Sequence, residues 1–236
     1  MTRYYIHDLD DNLHHFHQGM GASFNHAATR AAIEDCGVTL SPAEVEELIQ
    51  RGHAERNDFT SLLVEQHGVD WDTLHHGYNI RVDRAVIKPL PHLPNCLTAL
   101  GTDSVHSMLT HSHLCWATDA VAISRIEPWF PEDRIVTLEV YRQPKNIGPR
   151  GFHIALERMG NPKPGQDQII FTDDTLPNLV TAKKMGMQTM WSSHGRALPA
   201  EFASYVDFVS DDICAFLQQQ AAPARRRRRQ PRPSQP

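Results

Sequence analysis

Two hydrophobic periodicities divide the chain. From residue 23 to about 94, apolar positions recur at helical spacing. Ala27, Ala28, Ala31, Ala32 and Ile33 fall on one face of a predicted helix. Ser41-Pro42-Ala43-Glu44 is a helix start, combining a cap, a first-turn proline and an acid, and Val45, Leu48 and Ile49 continue its apolar face. Phe59, Leu62 and Leu63 predict a third helix that ends near Gly68, and Asp70 or Asp72 can cap a fourth. No strand is expected in this region. Pro89, Pro91 and Pro94 close it. Outside it, short apolar runs alternate with helical stretches. Strands are predicted over 4–6, 105–110, 135–138, 168–172, 187–191 and 206–209. Helices are predicted over 95–100, 113–126, 149–159 and 176–185, the last closed by Gly186. This alternation predicts an α/β fold, a Rossmann-like doubly wound parallel sheet built from residues 1–16 and 95–222. An all-helical cap, residues 17–94, is inserted after the first strand.

Composition narrows the class. With 236 residues and 40% hydrophobic content the chain can bury a full core. It has no run of about eighteen apolar residues, so no membrane partner is expected. The start MTRYYIHDLD carries charge where an export signal needs an apolar stretch, so export is not expected and a cytoplasmic location is. Cys36, Cys96, Cys115 and Cys214 are widely spaced and are expected to be reduced and mostly buried, with no structural zinc. The net charge of −5 hides an asymmetry. Residues 223–236 hold six arginines and no acid, and without them 17 basic residues face 28 acidic ones, leaving the body at about −11. An acidic body excludes a dedicated nucleic-acid reader. That tail cannot bury apolar area and is expected to be disordered. Nucleic acid or an acidic partner is expected only through Arg225–Arg229.

The ends of the predicted strands carry the chemistry. Asp8, Asp10 and Asp11 crowd three charges behind the first strand, Thr110 ends the second, and Asp173-Asp174 follow the clearest one. In a parallel sheet these ends share one edge. Carboxylates there can hold Mg²⁺, one can attack phosphorus, and a second, two residues on, can move the leaving-group proton. A hydroxyl and the Lys145 ammonium can hold phosphate oxygens. The backbone of the loop from Leu9 to Asn12 is expected to help. Fifteen histidines, among them His14-His15, His75-His76 and His111-Ser112-His113, have no shared spacing and read as solvated or polar-contact residues. His111 stays a candidate pocket residue because it follows Thr110. Trp71, Trp116, Trp129 and Trp191 read as core.

These residues resemble the motifs of the haloacid dehalogenase-like superfamily of phosphatases, in order and over nearly the whole body. Asp8-Leu9-Asp10 is similar to the first motif, Thr110 to the second, Lys145 to the third and Asp173-Asp174-Thr175-Leu176-Pro177-Asn178 to the fourth. Within the superfamily the last segment, with Ala182 to Met187, resembles the pyrimidine 5'-nucleotidase-like branch. The resemblance implies Asp8 as nucleophile and Asp10 as acid/base. It implies Mg²⁺ held by Asp8, Asp10, Asp173 and Asp174, and phosphate held by Leu9, Thr110 and Lys145. Weaker substrate contacts are expected at Asn12, His111, Asn178 and Phe59. Asp10 favours an ester phosphatase over a dehalogenase, whose leaving halide needs no proton. Asn12 stands where the family has Thr or Val and predicts reduced activity. The family's lysine position falls on Asn146, so a one-residue bulge must bring Lys145 into place. The expected function is a Mg²⁺-dependent phosphomonoester hydrolase acting on a small molecule, with a nucleoside monophosphate as one substrate. Two alternatives stay open: a catalytically weak binding protein that uses its basic tail, and a phosphomutase.

Overall fold

The computed structural model describes residues 2–16, 21–56 and 59–228; within them the side chains of 21–26, 53, 56, 59, 61 and 222–228 are not described. Strand β1 (Arg3–His7) is followed by a short strand β2 (His14–Phe16). Four helices come next, α1 (Gly21–Asp35), α2 (Pro42–Arg56), α3 (Phe59–His67) and α4 (Trp71–Arg81). The chain returns through β3 (Ile87–Pro89) to α5 (Leu93–Leu100), β4 (Ser104–Leu109) and α6 (Leu114–Ser124). Then follow β5 (Ile135–Val136), α7 (Leu138–Tyr141), α8 (Arg150–Arg158), β6 (Gln168–Asp173), α9 (Leu176–Lys184), β7 (Gln188–Ser192), β8 (Phe208–Ser210) and α10 (Ile213–Arg228).

Six strands form one parallel sheet in the order β5-β4-β1-β6-β7-β8. Parallel strands need crossover connections, and helices covering both faces bury the central strands β1, β4 and β6 toward their carboxyl ends, leaving only their first residues half-buried. Successive residues of β1 therefore serve two cores. Tyr5 packs with Met108, Ile170 and Met190 under α5, α6 and α10. Ile6 packs with Leu109, Phe171 and Phe152 under α7, α8 and α9. Helices α1–α4 close a third core of their own around Ile33, Val45, Leu48, Leu63 and Leu74. The doubly wound sheet is thus as the alternation predicts, and Gly186 closes α9 at φ +87°, a conformation that suits glycine.

Four details differ from expectation. β2 and β3 form an antiparallel ribbon, with Phe16 opposite Ile87 and His14 opposite Pro89, in a stretch where no strand is expected. Each strand has only three residues, and its extended form comes from pairing with the other rather than from its own propensity. β5 ends at Val136, because Thr137 opens the short helix α7. Helix α10 runs on to Arg228, past the expected start of a disordered tail at 223; residues 229–236 lie outside the described residues. All four cysteines are free, but only Cys96 is buried.

Candidate active site

Strand register brings the predicted residues to one edge. His7 lies opposite both Met108 and Thr172, so the residues just past them, Asp8, Leu109-Thr110 and Asp173, line up at the carboxyl ends of three adjacent strands. The Asp8 amide donates to the Thr172 carbonyl at 2.8 Å and the Thr110 amide to the Val136 carbonyl at 3.0 Å, extending the ladder by one bond on each side. The backbone turns sharply after Asp8: the Asn12 and Leu13 amides donate to the Leu9 carbonyl, with Asp11 at φ 53°. The Asn12 amide is therefore engaged within the turn, contrary to its expected part in an anion-binding loop.

Lys145 stands at the centre. Its ammonium, 2% exposed as a residue, donates to Asp8 Oδ1 at 2.6 Å, to Asp173 Oδ2 at 2.8 Å and to the Leu109 carbonyl at 3.2 Å. Burial works to lower its pKa, but Asp173 and Asp8 more than reverse this and hold it charged. Lys145 lies in a turn where the Pro144 carbonyl accepts from the Ile147 amide at 2.9 Å, and it is the Lys145 ammonium that reaches Asp8 and Asp173. His111 braces that loop: its Nε2 accepts the Lys145 amide at 2.9 Å, and burial keeps its pKa well below the ordinary range. That nitrogen is engaged with the backbone, which corrects the expectation of a substrate contact.

The carboxylates have distinct environments. Asp173 is fully buried and engaged on both oxygens by Lys145, the Thr175 amide and the Asn178 side chain. Asn178 is thus a brace for Asp173, another correction. Asp174 is more open, with Oδ2 4.0 Å from Arg196 Nη2 and Oδ1 3.3 Å from the Thr175 hydroxyl. Burial, then Asp173 and Asp11, pushes its pKa up to about 7. Burial also raises Asp8, against the pull of Lys145. Carboxylate oxygens of Asp8, Asp173 and Asp174 lie within 4.8 Å of one another. Three carboxylates against one ammonium leave an excess of negative charge in a partly dry site. Hard oxygen donors with that excess fit Mg²⁺.

The raised pKa gives a stability prediction. Its penalty is fully present above about pH 7, falls as pH drops through that range, and is gone below about pH 3, where Asp174 is protonated in both states. Asp174→Asn is therefore expected to be the more stable protein in metal-free buffer at pH 8, by about 1–3 kcal/mol, with the gap closing near pH 4. Urea melts of both proteins at the two pH values check this.

Asp10 points away from the other carboxylates. Its Oδ1 accepts from Trp116 Nε1 at 2.8 Å and from His14 Nε2 at 3.0 Å, and its Oδ2 from the Ser112 hydroxyl at 2.5 Å. Burial works against its charge, but these donors, His14 foremost, keep its pKa below the ordinary value. Sequence reasoning missed Ser112, His14 and the polar role of Trp116. Their only signal was position, close behind Thr110 and Asp10.

Asn12 lies beneath the site, not in it. Its amide group donates to the Asp8 carbonyl at 2.9 Å and to Thr172 Oγ1 at 2.9 Å, and accepts from the Ser192 hydroxyl at 2.7 Å. It ties β1 to β6 and β7, so its expected role as a substrate contact is corrected. Thr110 is buried, with its oxygen accepting the Ser112 amide at 3.0 Å. Leu9 is wholly buried. The Phe59 side chain lies outside the described residues.

No family model and no curated protein matches the chain. Solved structures do. A hydrolase from Pseudomonas syringae superposes with a TM-score of 0.63 at 18% identity, over 93% of this chain and 97% of that one. The HAD-hydrolase YfnB from Bacillus subtilis, bound to magnesium, gives 0.59 at 16%, over 93% and 98%. A HAD phosphatase from Thermococcus onnurineus gives 0.62 at 15%, over 92% and 97%. With its six-stranded parallel sheet, helices on both faces and acidic carboxyl edge, the chain carries the fold of the haloacid dehalogenase-like hydrolases.

Proposed function

We propose that the protein is a Mg²⁺-dependent phosphomonoester hydrolase that works through an aspartyl-phosphate on Asp8. The observation that carries this reading is the contact of buried Lys145 with both Asp8 and Asp173 inside a three-carboxylate cluster. Asp8, Asp173, Asp174 and the Asp10 backbone carbonyl would hold the ion, which shields phosphate charge from the attacking carboxylate. Lys145 sits 2.6 Å from Asp8 Oδ1, so the oxygens of a phosphoryl group transferred to Asp8 stay within its reach. The Thr110 hydroxyl borders the same edge. Asp10 protonates the leaving oxygen and then takes a proton from water. His14, whose pKa Asp10 raises against the effect of burial, shares a proton with it over 3.0 Å. The magnesium-bound and phosphatase relatives in fold support both halves of the reading. Helices α1–α4 serve as the cap that shuts water out and reads the leaving group. A nucleoside monophosphate is the substrate that the fourth-motif resemblance favours.

The test is phosphate release from a panel of nucleotides and sugar phosphates with Mg²⁺, comparing wild type with Asp10→Ala. An acid role predicts a loss of about 10²–10⁴-fold on alkyl phosphates and a much smaller one on aryl phosphates, whose leaving groups need no proton. Equal losses on both would refute that role for Asp10. Three features favour a weak binding protein in the sequence, Asn12, the displaced lysine and the basic tail, and the geometry at the first two supports the catalytic reading instead. Asn12 braces three strands beneath the site, and Lys145 reaches Asp8 despite its shifted position in the chain.

A further inference from the structure

A second cluster of ligand-type side chains lies at the seam between the helical insertion and the sheet core. His76 comes from α4. His113 is the N-cap of α6 and Cys115 sits in its first turn. One ligand atom from each lies within 4.8 Å of the others. The two imidazoles meet edge-on, centroids 4.8 Å apart at 61°, rather than stacking face to face. His76 is exposed while His113 and Cys115 are half-buried, so an ion can enter from solvent and still be held partly dry.

We propose that His76, His113 and Cys115 form a binding site for one soft divalent cation of the Zn²⁺ class, which fastens α4 to the start of α6. Two nitrogens and a sulfur are the donor set for zinc, whereas the Asp8, Asp173 and Asp174 oxygens suit a hard ion, so the two sites select different metals. Bond lengths to zinc of about 2.0–2.3 Å draw such donors somewhat closer than they stand, a change that side-chain rotation supplies. His113 is oriented for the task. Glu139 Oε1 stands 3.7 Å from its Nε2, where an outer carboxylate favours the proton on that nitrogen. The Nδ1 edge then faces Cys115, whose amide it accepts at 3.2 Å, a long contact that an ion can replace. Burial raises the Cys115 pKa, and Arg84 beside the thiol opposes that shift; Arg84 is itself held by Asp119 and by the Asn79 and Val82 carbonyls. Burial lowers the His113 pKa, with Glu139 and Asp72 acting against it.

The seam is already polar. His75 Nε2 meets the His111 carbonyl at 3.0 Å, the His113 amide donates to Asn79 Oδ1 at 3.3 Å, and Arg142 pairs with Asp72 at 2.6 Å. An ion at His76 adds a coordinate bond to these contacts, one that chelators remove without denaturing the protein.

Cobalt(II) reports the site directly, because only a thiolate ligand gives an intense charge-transfer band in the near ultraviolet. The probe is Co²⁺ added stoichiometrically to full-length protein in excess Mg²⁺, which occupies oxygen sites. The wild type is expected to show the band, and Zn²⁺ to bleach it. Cys115→Ser should lose it, and His76→Ala, a change at an exposed position, should weaken cobalt binding at least about tenfold. Absence of the band in the wild type, its survival in Cys115→Ser, or unchanged affinity in a folded His76→Ala would each overturn the site.

Discussion

Asp8→Asn is expected to lower phosphate release by a thousandfold or more, on the order seen when a nucleophile is removed from its catalytic unit, while leaving the fold intact. An amide has nearly the shape of the carboxylate, and the surrounding contacts tolerate it. The Asp8 amide stays bonded to Thr172, Lys145 keeps Asp173 and the Leu109 carbonyl, and burial already disfavours charge at Asp8. The amide oxygen, however, does not attack phosphorus. Rapid-quench trapping with a labelled substrate should detect an acid-stable phosphoenzyme adduct neither in the variant nor in wild type boiled beforehand, but should detect it in active wild type. Substantial turnover by Asp8→Asn would end the covalent mechanism.

Lys145→Met should be the most damaging single change to stability among the site residues. The methionine fills the volume but removes the one ammonium that Asp8 and Asp173 share. Stripping one partner from a buried ion pair costs about 3–5 kcal/mol, and here two carboxylates lose their partner together. The sign with pH is fixed by the acids left behind. Asp8 and Asp174 already have raised pKa values, so the penalty is fully present at pH 8 and eases as falling pH protonates them. Urea melts at pH 8 and pH 5 measure both the loss and its easing. A midpoint unchanged from wild type at pH 8 would show that Lys145 does not neutralise the cluster.

Strand ends were legible because their chemistry is local and topology does the rest. Asp8 and Asp173-Asp174 each follow an apolar run, and parallel order across β1 and β6 puts them together without further information. What the sequence hid was direction. Asn12 sits two residues from Asp10 in the chain, yet its side chain turns down into Thr172 and Ser192, far from either in sequence. Asn178 resembles a motif residue, but its role is to steady Asp173. Trp116 has an apolar body that buries well and an N–H whose partner, Asp10, lies 106 residues away. The β2–β3 ribbon was equally hidden, because His14-His15-Phe16 and Ile87-Lys88-Pro89 each lack strand character alone.

That ribbon holds Phe16 and Ile87 side by side, so the chain leaves the sheet core and re-enters it at nearly one point. Everything between those residues can be treated as a cassette. A graft that keeps the ribbon and replaces the helices keeps the strands that carry Asp8 and Asp173, but it must also replace the α4 contacts to the loop of His111 and His113. The loop-closure cost of such an exchange grows only slowly with its length. The ribbon therefore sets the strand-end carboxylates apart from a long helical segment that enters and leaves the sheet core at one place.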